Sequence, residues 1–296
     1  MLLGCRLHHR PVAPEPARGP ARDSLYLLDQ SRGDSVTARG LVDGMLSLLD
    51  PDVVFLRAGV PAMYGRDAAR ELFEASGRSA SVAHTWQPLG GAVSYDLRSA
   101  YTYGIAARSG QSGPHLERYI AFWQRGRSAP WRIVAYAEVN GLPGSEIPLS
   151  ATQLSPPSRH LSKNMSEAAA SLRATDSLFS DLADRMGVSY AFSNTAAPYG
   201  AVFGGTRLVT GPDAIREFYA TQSRGTSLTW RPVYAVVAGS GDLGFTIGES
   251  ITTGRGPSGA AVQRFGKYIT VWQRQPDRSW KFVIDGGNAT PARAER

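Results

Sequence analysis

Carboxylates and tyrosines on strand-like stretches are the residues of this chain best suited to chemistry. In the second half, Asp285 and Glu249 lie in runs rich in aromatic and β-branched residues, as does Tyr268; in the first half, Glu138 is accompanied by Tyr101, Tyr103 and Tyr119. A pocket carboxylate beside a hydroxyl can transfer a proton, provided burial brings its pKa toward neutrality. Other chemistries lack their residues. The histidines are His8, His9, His84, His115 and His160, so the second half has none, and no His-x-His or His-Glu-x-x-His spacing offers a zinc site. Cys5 is the single cysteine, which excludes an intramolecular disulfide. There is no Gly-x-Ser-x-Gly elbow, no phosphate-binding P-loop, and no Gly-x-Gly-x-x-Gly joining a strand to a helix. Neither a metal nor a cofactor is expected.

The elements that must position those residues come in duplicate. Tyr119-Ile-Ala-Phe-Trp-Gln-Arg125 and Trp131-Arg-Ile-Val134 return as Tyr268-Ile-Thr-Val-Trp-Gln-Arg274 and Trp280-Lys-Phe-Val283, both 149 residues later. Thr85-Trp-Gln-Pro88 and Tyr101-Thr-Tyr-Gly104 return as Thr229-Trp-Arg-Pro232 and Phe245-Thr-Ile-Gly248, 144 residues later. Gly65–Phe73 answers Gly211–Tyr219 at an offset of 146, and the pair Asp29 and Gly40 answers Asp176 and Gly187 at 147. A self-match of this period in unchanged order means two copies of one domain. A 296-residue chain is long enough for two, each with its own core. The expected division is a flexible tail over 1–22, domain one over 23–141, a linker over 142–164 rich in proline and small polar residues, domain two over 165–290 and a short tail over 291–296.

Within each copy, helices precede strands. Ser24–Leu49 has apolar residues at helical spacing, interrupted near Gly33 and Gly40, and Val53–Leu56 is a short strand. Asp67, and its counterpart Asp213, is placed to cap the next helix. Four strand-like runs follow, at about 82–94, 98–108, 115–125 and 131–139, then again at about 226–238, 242–253, 261–274 and 279–286. The fold class is α+β: helices packed on a curved antiparallel sheet, twice.

The formal charge of +7 does not make a nucleic-acid binder. Residues before Asp23 carry +3 of it, and the remainder is interleaved with acids and forms no basic stripe. No run of about 20 apolar residues is present to cross a bilayer. Leu2-Leu3-Gly4-Cys5 resembles a bacterial lipoprotein cleavage box, yet only four residues precede Cys5. Cys5 is therefore a lipidation candidate only if the true start lies upstream, and the expected location is the cell envelope or the exterior with such a start, or the cytoplasm without it.

Taken together, Gly211-Pro-Asp-Ala-Ile-Arg-Glu-Phe218, Thr229-Trp-Arg-Pro232 and Tyr268-x-x-x-Trp272 followed by Trp280-x-x-x-x-Asp285 resemble the NTF2-like superfamily. More narrowly, they are similar to the DUF4440 branch of bacterial domains, related to SnoaL-type cyclases and ketosteroid isomerase. The first copy departs from this pattern, with Tyr136 in register with Asp285. The resemblance implies two conical domains, each with a pocket between helices and sheet, pairing through their outer sheet faces as an intramolecular pseudo-dimer. It also implies a pocket carboxylate as proton acceptor, with Asp285 or Glu249 in that role and Tyr268 as hydroxyl donor.

Strand alternation places Tyr268, Thr270, Trp272 and Arg274 on one face, and Tyr119, Ala121, Trp123 and Arg125 on the corresponding one. Tyr119, Trp123, Tyr101, Tyr103 and Glu138 of the first copy, with Trp272, Phe245 and Trp230 of the second, are the expected ligand contacts. Three readings follow: a non-catalytic pocket for a small apolar or aromatic ligand, which divergence at Asp285 and Tyr136 favours; an isomerase- or cyclase-like enzyme; and an interaction module with filled pockets.

Overall fold

The computed structural model describes residues 15–75, 83–110, 113–142, 164–204 and 207–291. Cys5, the body of the expected linker and the last five residues lie outside the described residues. The first unit runs α1 (Glu15–Gln30), α2 (Arg32–Arg39), α3 (Leu41–Leu46), β1 (Leu49–Leu56), β2 (Met63–Tyr64), α4 (Arg66–Ala75), β3 (Ala83–Val93), β4 (Ser99–Gly110), β5 (Gly113–Gln124) and β6 (Arg132–Leu142). The second repeats it as α5 (Met165–Met186), α6 (Val188–Thr195), β7 (Ala196–Gly204), β8 (Arg207–Thr210), α7 (Pro212–Gln222), β9 (Ser227–Val237), β10 (Leu243–Arg255), β11 (Ala261–Arg274) and β12 (Trp280–Ala289).

Each unit builds one six-stranded sheet, in the orders β2-β1-β6-β5-β4-β3 and β8-β7-β12-β11-β10-β9. The sheets are mixed rather than wholly antiparallel, because β1 joins β6, and β7 joins β12, in parallel. A parallel partner needs a crossover, and the long return through a helix and four strands supplies it. Register shifts at Pro88 and Gly90 opposite β4, and at Tyr234 and Pro232 opposite β10, break both edge ladders in corresponding places. Such irregularities bend a strand and raise its twist, which curls the sheet around its helices.

Sequence pattern explains the helices and two departures from expectation. The first helix begins at Glu15, so part of the expected tail is helical; the expected interruptions fall at Ser31, two residues before Gly33, and at Gly40. Gly40 and Gly187 take φ of +81° and +86°, a left-handed conformation that costs a side-chain-bearing residue energy, and both turn the chain between helices. Asp67 and Asp213 do not cap. They stand inside the first turn, where a carboxylate favours the positive end of the helix dipole, and a glycine of positive φ, Gly65 or Gly211, precedes each helix.

Apolar burial is divided in three. One core lies under the helices of unit one, around Leu25, Leu49, Phe55, Trp123 and Ile133. A second lies under those of unit two, around Leu172, Phe179, Ile215, Trp272 and Phe282. The third joins the outer sheet faces: Tyr101, Tyr103, Ile120 and Phe122 meet Phe245, Ile247, Ile269 and Val271, with the rings of Phe122 and Phe245 4.7 Å apart. Polar contacts border this seam. Tyr95 N donates to Asp242 Oδ2 at 3.1 Å, Asn288 Nδ2 to the Glu138 carbonyl at 2.6 Å, and Lys267 Nζ to the Arg57 carbonyl at 2.7 Å.

Candidate functional site

The second unit holds a cavity of about 280 Å³ between its helices and the inner face of its sheet. Phe179 and Phe192 come from the first two helices of the unit, Tyr219 from α7, Leu228 and Trp230 from β9, Tyr268 from β11 and Asp285 from β12; Ser250 and Thr252 of β10 and Arg264 of β11 also line it. Apolar and aromatic walls around a few convergent polar groups are the usual make-up of a small-molecule site.

Asp285 is opposite Thr270 in the β11–β12 ladder, and Thr270 Oγ1 donates to its Oδ2 at 2.5 Å. Its other oxygen, Oδ1, has no hydrogen-bond partner among the described residues. The residual exposure of Asp285 faces the cavity, while the surrounding protein desolvates the group. Burial pushes its pKa up to about 7; the Thr270 hydrogen bond opposes this and the charge of Asp176 adds to it. An acid with that pKa switches between donor and acceptor near neutral pH.

Asp176, on α5 and fully buried, organises the cavity wall. Its Oδ1 accepts from Trp230 Nε1 and its Oδ2 from Tyr268 Oη, both at 2.8 Å, and Thr246 adds a further hydrogen bond. Thr246 in turn accepts from Trp272 Nε1 at 2.9 Å. Burial raises the pKa of Asp176 and these donors pull against it. The pKa of the Tyr268 hydroxyl is raised by its own burial and then by Asp176, so it keeps its proton and donates a hydrogen bond to that carboxylate. Tyr219 is different: burial and Asp285 raise its pKa, and no hydrogen bond of its hydroxyl falls among the described residues.

The structure therefore brings together Asp285, Tyr268 and Trp230 of the expected site residues. Trp272 is beneath the cavity in the core, fully buried and bonded to Thr246. Glu249 is on the outside, 47 % exposed, with Arg231 at 3.4 Å. Phe245, Tyr101 and Tyr103 lie in the seam between the sheets, on the opposite face from either helical core, because they are one strand position away from the inward residues. Glu138 also borders the seam, where both its oxygens engage Arg57, at 2.6 and 2.7 Å. In unit one, Trp123 Nε1 bonds Thr102 at 2.9 Å and Tyr119 Oη donates to Asp29 Oδ2 at 2.6 Å.

Where unit two is open, unit one has a guanidinium. Arg32, fully buried, pairs with Asp29, and its carbon lies 4.5 Å from the ring centre of Tyr119, 5.1 Å from that of Trp86, 5.2 Å from that of Tyr136 and 5.8 Å from that of Trp123. The repeat offsets align Asp29 with Asp176, Trp86 with Trp230, Tyr119 with Tyr268 and Trp123 with Trp272. They also align Arg32 with Phe179, Phe73 with Tyr219 and Tyr136 with Asp285. Sequence reasoning missed Asp176 and Tyr219. The available signal was a carboxylate repeated at one position of an apolar helix face, and a hydroxyl gained in one copy only.

No family model matches the sequence, and no curated protein matches it. Among solved structures, similarity is found to a ketosteroid isomerase-like protein from Erwinia carotovora atroseptica, 16 % identical, covering 42 % of this chain and 96 % of that one with a TM-score of 0.37. An NTF2-like protein with a cystatin-like fold from Novosphingobium aromaticivorans is 20 % identical over 44 % of this chain and 84 % of its own, with a TM-score of 0.34. An NTF2-like superfamily protein from Salmonella enterica serovar Typhimurium is 15 % identical over 44 % and 95 %, with a TM-score of 0.36. Among the described residues, no helix is long and apolar enough to cross a membrane. The described residues include no group of three potential metal ligands.

Proposed function

We propose that this protein is a tandem NTF2-like chain whose second unit binds a small, largely aromatic or apolar molecule, while the first is its closed partner. The observation carrying this is the cavity of unit two, in which Asp285, with only its Oδ2 hydrogen-bonded among the described residues, stands among aromatic walls. Tryptophan fluorescence tests it, since Trp230 lines the cavity. A neutral aromatic probe such as 2-naphthol gives a saturable change in the wild type, and Ser250→Phe, which narrows the cavity, weakens binding about tenfold or more. No saturable response from a panel of neutral aromatic probes would end this reading.

A second reading, acid–base catalysis, is favoured by the pKa of Asp285 near 7 with the Tyr219 hydroxyl in the same cavity. Asp285 then takes a proton from carbon beside a carbonyl, and Tyr219 donates a hydrogen bond to the oxygen. Deuterium incorporation into acetophenone in heavy water, followed by NMR, rises with pH through about 7 and disappears in Asp285→Asn. Exchange no faster than with buffer alone leaves the passive binding reading in place.

The apolar seam supports pairing of the two units within one chain as a pseudo-dimer. Phe245→Asp puts a charge opposite Phe122; sedimentation and denaturant melts then report a loosened chain if the seam holds the units together.

A further inference from the structure

We propose that the molecule held in the second unit's cavity is an organic cation, an ammonium or amidinium on an aromatic or apolar body. This inference rests on the cavity reading above and adds the charge of the ligand. Unit one shows what the shared architecture accommodates: its inner face seats a guanidinium against Asp29 and among four aromatic rings. Flat cations are attracted to such ring faces, and a desolvated site strengthens the attraction. Unit two keeps three of the four rings and the helix-borne acid, but not the cation, because Phe179 stands at the Arg32 position. It then adds a second acid, Asp285, at the place of the fourth ring.

The charge balance differs accordingly. Under the helices of unit one, Asp29 is matched by Arg32. In unit two, Asp285 lines the cavity and Asp176 stands behind its wall, and the two cations that also line it, Lys267 and Arg264, are hydrogen-bonded to neither acid among the described residues. Lys267 donates its ammonium to the backbone carbonyls of Arg57 and Ala289. Arg264 extends from the exposed part of β11. The groups that act on Asp285 are Thr270 of β11 and Asp176 of α5, with Tyr219 of α7 and Tyr268 of β11 as neutral neighbours, and none of them is positive. A ligand cation at the unpartnered oxygen removes both the repulsion from Asp176 and the cost of burying an isolated carboxylate.

The test is calorimetric titration of the full chain with three near-isosteric probes: benzamidine, benzamide and benzoate. At pH 8 benzamidine binds about tenfold or more tighter than benzamide, and benzoate binds weakest. Lowering the pH from 8 to 5.5 protonates Asp285, so benzamidine affinity falls by up to about tenfold per unit below pH 7 while that of benzamide stays level. Asp285→Asn abolishes the difference between the two; if that variant does not fold, the wild-type pH series decides. Equal binding of benzamidine and benzamide, or a pH-independent preference, overturns the cation and leaves the cavity reading standing. Tightest binding of benzoate overturns it as well. If none of the three binds and neutral aromatics give no fluorescence response, the cavity reading falls and takes the inference with it.

Discussion

Unit one and unit two are the same architecture with opposite solutions to one problem, a carboxylate buried on the first helix. In unit one Asp29 is neutralised from within, by Arg32 one helical turn further on and by the Tyr119 hydroxyl. In unit two Asp176 is held by three neutral donors, Trp230, Tyr268 and Thr246, and the space beside it stays open. A handful of substitutions separates a core filled by Arg32 from a cavity, because the strand order and most of the aromatic walls are common to both.

The largest expected effect comes from undoing the internal cation. Arg32→Met leaves Asp29 charged, buried and without its counter-ion, and costs about 3–5 kcal/mol in denaturant unfolding, whereas adding Asp29→Asn recovers much of the loss. A cost below about 1 kcal/mol breaks the comparison, since Arg32 would then be mere filler. Next is Asp176→Asn, which leaves one oxygen for three donors and costs about 1–3 kcal/mol.

The pH dependence of stability sharpens the contrast further. Asp285 keeps its proton in the folded protein up to about pH 7 but loses it near 3.8 when unfolded, so the native state binds more protons in between. Stability therefore declines as pH rises through that window and levels off above 7, by about 1–2 kcal/mol once water in the cavity is allowed for. Asp242, raised to about 6 mainly by burial, contributes a slope of the same sign. Asp285→Asn removes its own share, seen as a flatter melting temperature between pH 4 and 7. Phe179→Arg, which imports the solution of unit one, returns the Asp285 pKa toward the ordinary carboxylate range, as NMR titration of its carboxyl carbon would record. The smallest effect is Glu249→Gln, within about 0.5 kcal/mol, because the pair with Arg231 is largely exposed.

What could be read before folding followed the repeat. Tyr268 stands in a strand motif whose alternation assigns it to the inner face, whereas Asp285 faces the cavity only because a bulge between Phe282 and Ile284 resets the alternation of β12. Tyr101, Tyr103 and Phe245 belong to equally aromatic strands, but aromatic content does not say which face meets helices and which meets a second sheet. Both faces are buried over 99–106 of β4 and over 243–248 of β10, so the polar-out signal that ordinarily separates them is missing there. Glu249 was misleading for a related reason: a carboxylate in a β-branched run has the same local sequence whether it points into a cavity or out to water.

The sequence by itself determined the duplication, the order of helices and strands, and the glycines that turn the chain, since these depend on residue type and spacing along the chain. Tertiary structure alone decided that Arg32 fills one core, that Asp176 anchors the wall of the other and that Asp285 is left with an oxygen facing open space. Those outcomes depend on which side chains meet across elements some 50 to 110 residues apart, and on how strongly the surrounding atoms exclude water, neither of which a local pattern encodes.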